Sequence, residues 1–338
     1  MNYRKRALVA TALAVCAASA MAEIKIVTTL PDLASIASAV GGNNVSVTSI
    51  IMGARDPHRI EAKPSYMSRA AGADLFIAEG LELEIAYEQP ILEGSRNAKI
   101  QIGAARHVYA SDYAYILDKP SGSVSRAMGD VHPYGNPHTW LDPGNGRTFA
   151  QKLAAKLASI DPANAKEYAA GADRFTDRLD SAMFGKSLVT KYGGDKLWEW
   201  ERNAQLESKL KEAGALGTLG GWAGQMLPLA GKPVITYHRS LNYFAHRFGL
   251  RIVDELEPKP GLDPTPGHLG EVIKSGEAKG VKVIIQESFY PTKHAQLVAG
   301  RIGAKVVAIP QNVGHDKGAD DYISLFDVIV DRISGAFK

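Results

Sequence analysis

Three histidines and one glutamate of this chain occupy positions typical of metal ligands. His58 and His138 each follow a proline, and His238 ends an apolar run that begins at Val234. Glu287 ends a later apolar run in the same way. Imidazole nitrogens and carboxylate oxygens bind zinc and related divalent metals. A single loop histidine is more often a hydrogen-bonded structural residue, but three in equivalent positions favour a metal site.

His138 lies in the stretch GNPHTWLDP, residues 135–143. The Asn-Pro step before it is rigid, and the Trp-Leu pair after it is predicted to be buried. Asp142-Pro143 predicts the start of a helix, because Asp is a good N-cap and Pro is favoured in the first turn. Asp142 is also a candidate to orient His138 by accepting a hydrogen bond from the ring nitrogen that does not bind the metal. A metal-bound histidine usually has such a partner.

The elements that must position these residues alternate in type along the chain. Short β-rich apolar segments alternate with amphipathic helical segments, and Gly and Pro mark the junctions, which predicts parallel sheets covered by helices. The predicted strands are 24–28, 45–51, 75–79, 99–102, 234–237, 250–256, 281–286 and 305–309. The predicted helices are 33–40, 82–92, 145–160, 163–184, 241–248, 268–277, 292–302 and 321–333.

This pattern predicts an α/β fold with two doubly wound lobes and parallel-rich sheets. The predicted domains are a signal peptide (1–22), an N-terminal lobe (23–144), connecting helices (145–188) and a C-terminal lobe (189–338). The helix at 163–184 would be roughly 30 Å long and would form a rigid backbone between the lobes. Residues 185–231 contain three tryptophans and are interpreted as a lid or an edge insertion. Ligands of such sheets bind at the carboxyl ends of strands, which places the metal in the cleft between the lobes.

The first 22 residues have the pattern of a cleaved signal peptide. Arg4, Lys5 and Arg6 precede an apolar run at 7–18, and Ala20-Met21-Ala22 is a small-x-small cleavage site. Removing them leaves 36 basic and 36 acidic residues of the original 39 and 36, which argues against a nucleic-acid-binding protein. The only cysteine, Cys16, would also be removed, so the site would contain no thiolate. Lipidation at Cys16 is the less favoured alternative.

These motifs resemble those of the zinc and manganese solute-binding proteins of ABC transporters. The resemblance rests on Asp56-Pro57-His58, on the 136–142 motif, on Thr236-Tyr237-His238, on Leu256-Glu257-Pro258 and on Glu287-Ser288. It covers the chain from about Ile24 onward. It implies a periplasmic, monomeric, non-enzymatic protein that binds a metal ion as transported ligand and delivers it to a permease in the inner membrane.

The resemblance also implies the ligands. His58, His138 and His238 match the first three ligand positions of the family, and His at the third position is typical of its zinc-binding members. The manganese-type pattern has an Asp a few residues beyond the Glu-Ser pair, where this chain has Phe289-Tyr290-Pro291. The fourth ligand of Zn(II) is therefore predicted to be either Glu287 or water.

Three questions remain open at this level. A zinc hydrolase with an open coordination position is an alternative, although no His-Glu-x-x-His motif is present. A second alternative function is that of a carrier of manganese or of a metal chelate. His132, six residues before His138, either passes metal inward or has only a structural role in its loop.

Overall fold

Two four-stranded parallel sheets form the framework of the chain in a computed structural model that describes residues 23–122, 129 and 131–338. The predicted signal peptide and Cys16 lie outside these residues. The first sheet contains β1 (Ile24–Thr28), β2 (Val45–Ser49), β3 (Leu75–Ala78) and β4 (His107–Tyr109) in the order β2-β1-β3-β4. The second contains β5 (Pro233–Thr236), β6 (Arg251–Glu255), β7 (Val283–Glu287) and β8 (Lys305–Ile309) in the order β6-β5-β7-β8.

Helices connect the strands and join the two sheets. Those of the first half are α1 (Pro31–Gly41), α2 (Pro64–Ala71) and α3 (Glu88–Ser95). The joining helices are α4 (Pro143–Ile160), α5 (Ala165–Phe184), α6 (Lys186–Tyr192), α7 (Gly194–Arg202), α8 (Leu206–Glu212) and α9 (Gly221–Met226). Those of the second half are α10 (Asn242–Phe248), α11 (Pro266–Lys279), α12 (Lys293–Ile302) and α13 (Tyr322–Ala336). The predicted α/β fold with two parallel-sheet lobes is confirmed.

Two predicted elements of the first half are wrong. Residues 99–102 do not form a strand: Ala98–Ile100 is a 3-10 turn that the Asn97 side chain caps by accepting from the Lys99 amide at 3.1 Å. The fourth strand is instead the three-residue β4. The helix predicted at 82–92 begins only at Glu88, because Leu81 and Glu82 have left-handed backbone conformations that a helix cannot contain.

The tryptophan-rich segment packs against the joining helix and does not form a lid. The indole N–H of Trp198 donates to Asp180 of α5 at 2.6 Å, and that of Trp222 donates to Asp327 of α13 at 2.7 Å. Gly221, with a φ of +59°, approaches Ala182 so closely that a Cβ would lie 2.1 Å from the Ala182 carbonyl oxygen. Helices α6 to α9 therefore form an additional layer that packs against α5.

One hydrophobic core includes residues of both sheets. It contains Phe76 of β3 and Ile285 of β7, together with Phe149 of α4 and Phe175 of α5, all at most 4% exposed. Helices α4 and α5 bury apolar side chains against both halves. Separating the halves would therefore cost about 25 cal/mol for each Å² of apolar surface exposed to water. Among the described residues, no helix combines the length and the apolar character that a membrane span requires.

The last helix is bonded to the first half of the chain. The Tyr322 amide donates to the Ser35 hydroxyl of α1 at 2.9 Å, and the Tyr322 hydroxyl donates to the Trp140 carbonyl at 2.6 Å. Just before this helix, the Val313 amide donates to buried Asp32 at 3.2 Å. These bonds attach α13 to the first half at several buried positions.

Candidate metal centre

Two of the three predicted histidines, His58 and His238, lie just after strands, whereas His138 directly precedes the 3-10 turn Thr139–Leu141 in front of α4. His58 lies in the 3-10 turn Pro57–Arg59, which follows β2. The Asp56 side chain caps this turn by accepting from the His58 amide at 2.9 Å. His238 directly follows Tyr237 at the end of β5. In the order β6-β5-β7-β8, strands β5 and β7 flank the point where the chain reverses direction across the sheet, which is where such folds bind ligands.

Asn136 fixes the ring of His138. Its side-chain oxygen accepts from the His138 amide at 3.0 Å and lies 2.9 Å from Nδ1 of the same residue. Because an amide oxygen only accepts, Nδ1 carries the proton and Nε2 keeps its lone pair. The hypothesis that Asp142 orients His138 is wrong: Asp142 caps α4 by accepting from the Gly144 amide at 2.7 Å, and it pairs with Arg247.

Glu257 fixes the ring of His238. Its carboxylate lies 2.7 Å from Nδ1 of His238 and also accepts from the Gly261 amide at 2.9 Å. Both side chains are buried. A carboxylate on Nδ1 leaves Nε2 as the donor to a metal and raises the basicity of the ligand. The nearby Glu255 instead pairs with Arg239 at 3.2 Å.

The structure brings the three histidines together. One ring nitrogen of each of His58, His138 and His238 lies within 4.8 Å of those of the other two. The Nε2 atoms of His58 and His138 are 3.2 Å apart. Zn–N bonds of about 2.0–2.1 Å place neighbouring ligand nitrogens roughly 3.3 to 4 Å apart. The three side chains can therefore hold one ion after a small adjustment.

The charge state of this cluster suits a cation. Burial, followed by the repulsion of neighbouring histidines, lowers the pKa of both His58 and His138 well below its usual range, so both rings are neutral. Burial also acts to lower the pKa of His238, but the hydrogen bond and charge of Glu257 outweigh it and raise that pKa. A metal ion that binds here meets two unprotonated imidazoles and a third that Glu257 makes more basic.

Glu287 is not among the converging atoms. It ends β7 and is buried, and its Oε1 accepts from the Ser240 hydroxyl. Its Oε2 makes no hydrogen bond within the described residues. Burial raises the pKa of Glu287 to about 7, although the charge of His238 acts in the opposite direction. Ligation by Glu287 stays a prediction.

A fourth histidine lies beside the group. The ring centroid of His132 is 5.2 Å from that of His58, which matches the spacing of 5.1 to 5.5 Å among the other three rings. The signal that the sequence offers is the position of His132 six residues before His138, with two prolines and a glycine between them. His107, His246, His268 and His315 are not part of this cluster.

We expect the Glu257→Gln variant to bind zinc about 10-fold more weakly or worse, because loss of an outer-shell partner typically costs 10- to 100-fold in metal affinity. The glutamine keeps the size of the side chain but removes its charge from Nδ1 of His238. Competition with a chelator of known affinity measures the change. Glu255→Gln is the matched control, since its carboxylate pairs with half-exposed Arg239. Equal affinities in both variants would contradict this role of Glu257.

Comparison with known proteins identifies related sequences along most of the chain. The family model of the periplasmic zinc-uptake complex component A (ZnuA) matches residues 26–183 and 214–336. The manganese ABC transporter substrate-binding lipoprotein PsaA of Streptococcus pneumoniae is 27% identical over 158 residues, which are 47% of this chain and 48% of that protein. The chain thus aligns with about half the length of this relative.

Two relatives from Yersinia pestis align over nearly their whole length. The high-affinity zinc uptake system protein ZnuA is 21% identical over 100% of this chain and 98% of its own. The iron-binding protein YfeA is 22% identical over 93% of this chain and 86% of its own.

Solved structures show the same fold. A crystal structure of ZnuA has a TM-score of 0.66 and 21% identity, and covers 94% of this chain and 100% of its own. The Pseudomonas aeruginosa protein FpvC in complex with Mn²⁺ has a TM-score of 0.69 and 22% identity, and covers 93% and 98% of the two chains. At these identities the structural likeness establishes the architecture only.

Proposed function

Because the chain belongs to the family of periplasmic zinc-uptake component A proteins, we propose that it captures Zn(II) and delivers it to an ABC permease in the inner membrane. The family consists of transporter substrate-binding proteins, so the chain is not a hydrolase. Its relatives are named for zinc, manganese and iron. The choice among these metals therefore depends on the chemistry of this site.

The observation that carries the proposal is the convergence of three imidazoles from both halves of the chain, of which those of His138 and His238 are oriented by Asn136 and Glu257. His58 and His138 precede the joining helices, and His238 follows them. Imidazole nitrogens suit zinc, copper, iron and nickel, whereas manganese prefers oxygen donors. The low pKa of His58 and His138 favours the binding of any divalent metal ion, because neither ring has to lose a proton first.

The predicted metal ligands are His58, His138 and His238, with Glu287 or water as the expectation for the fourth position. The proposed division remains a signal peptide at 1–22, lobes at 23–144 and 189–338, and connecting helices at 145–188. Export, action in the periplasm and a monomeric state belong to the same proposal.

Metal analysis of the purified protein tests the proposal. We expect the chelator-stripped protein, dialysed against equimolar Zn²⁺ and Mn²⁺, to retain one zinc per chain and little manganese. Zinc retention well below one per chain would overturn metal capture, and preferential retention of manganese would overturn the choice of metal. Delivery is tested by growth: a strain of the source organism that lacks the chain should grow poorly when zinc is chelated, and added zinc should restore growth.

A further inference from the structure

His132 faces the same small cavity as two of the predicted ligands. This cavity of about 30 Å³ is lined by His132, His138 and His238, and by Asn136 and Arg239 among others. A water molecule occupies about 30 Å³ of the liquid, so the space fits a single water or ion. The half-buried His132 ring thus borders the position next to the converging nitrogens.

The backbone between His132 and His138 is held in a fixed turn. The Gly135 amide donates to the His132 carbonyl at 3.2 Å, and the Asn136 amide donates to the Leu117 carbonyl at 2.9 Å. Gly135 has a φ of +117°, and a Cβ there would lie 2.3 Å from a methyl carbon of Ile116. Only glycine fits this turn, which places the two histidines on the same side of the loop, at the cavity.

The electrostatic effect of His132 shows the same proximity. Its positive charge, when it is protonated, acts with the dominant effect of burial to lower the pKa of both His58 and His138. The rings of His58, His132 and His138 are thus close enough to interact with the same bound cation. Ligation would require the His132 ring to come closer to the three nitrogens, because it is not among the atoms that converge within 4.8 Å.

Glu287 is the rival for the fourth position. Neither Glu287 nor His132 is among the three converging nitrogens, but the Glu287 carboxylate already accepts from Ser240, whereas the ring centroid of His132 lies 5.2 Å from that of His58. A carboxylate in the fourth position would favour manganese, and a fourth imidazole would favour zinc, copper, iron or nickel over manganese.

We propose that His132 is the fourth metal ligand, so that the ion is held by four imidazoles and no carboxylate. This inference rests on the proposed function, because it concerns the same ion. It assigns the choice of zinc over manganese to the pair His132 and His138, which one short loop presents together. It also assigns Glu287 a role in the electrostatics of His238 rather than in the inner coordination shell.

X-ray absorption at the zinc edge tests the inference directly. We expect the fine structure of the zinc-loaded wild-type protein to require four imidazoles, and that of the His132→Ala variant to require three imidazoles and one oxygen. Zinc affinity should fall on the order of 100-fold in this variant, about the share of one ligand in a structural zinc site. His246→Ala, which removes an exposed histidine outside the cluster, is the matched control and should leave zinc affinity unchanged.

A second variant measures metal selectivity. His132→Asp exchanges a nitrogen donor for an oxygen donor, so we expect the ratio of manganese to zinc affinity to rise at least about 10-fold. Three imidazoles in the wild-type spectrum, or wild-type zinc affinity in His132→Ala, would overturn the role of His132 and leave zinc capture intact. Failure of the wild-type protein to bind zinc would overturn the proposed function as well.

Discussion

Replacing His138 by Ala is expected to weaken zinc binding on the order of 100- to 1,000-fold. The free energy of binding at structural zinc sites is roughly 10–16 kcal/mol, so each of four ligands contributes about 3 kcal/mol, and each 1.4 kcal/mol is a factor of ten. His138 has the largest effect for a geometric reason: its ring is 1% exposed and is already oriented by Asn136.

Chelator competition on the metal-free protein measures this loss, and thermal unfolding without metal shows whether the variant is folded. His138→Gln provides a second variant that fills more of the space left by the ring. Wild-type zinc affinity in both folded variants would exclude His138 from the site. His246→Ala serves again as the control, because it removes an imidazole without touching the cluster.

Replacing Arg247 by Met is expected to lower the free energy of unfolding by about 3–5 kcal/mol, the usual cost of leaving one partner of a buried ion pair behind. The guanidinium of Arg247 in α10 donates to both oxygens of Asp142, at 2.9 and 2.7 Å, and also to Glu201 of α7. Asp142 is completely buried. Methionine therefore leaves this buried carboxylate without its counter-charge, at the junction of the first half, the joining helices and the second half; the Tyr115 hydroxyl and the Gly144 amide still donate to it.

Urea unfolding of the metal-free protein at pH 7 measures this change. The double variant Arg247→Met, Asp142→Asn removes the stranded charge and should recover part of the loss, because an amide can still accept from the Gly144 amide at the start of α4. A loss below about 1 kcal/mol in the single variant would show that the pair behaves as an exposed salt bridge. No recovery in the double variant would show that packing, rather than charge, causes the loss.

The sequence allowed the architecture to be predicted wherever an element has a long repeated pattern. β1, α5 and β8 lie where periodicity placed them, because apolar side chains at regular spacing must be buried. β4 was missed because three residues, His107–Tyr109, carry no periodicity, whereas the nearby 99–102 segment has a β-like composition but is folded as a capped turn. Strand pairing in the tertiary structure decided between the two.

The candidate site was predictable in part. His58, His138 and His238 were identifiable because proline or a strand end fixes the backbone at each of them. Asn136 and Glu257 were not, because the partner of a ring nitrogen is determined by side-chain geometry at a resolution of tenths of an ångström. Asp142 had the more favourable charge and was chosen from the sequence, yet the chain directs it to Arg247.

The attachment of α13 to the first half has a consequence for folding. Tyr322 bonds to Ser35 across 287 positions of the sequence, so the first sheet and its helices lack part of their packing until the end of the chain is present. Contacts of such high sequence separation form late and slow the folding of a chain. Early partly folded species therefore expose apolar surface of α1 and α5. We therefore expect the two halves, although each has its own sheet, to reach the native state together rather than as independently folding modules.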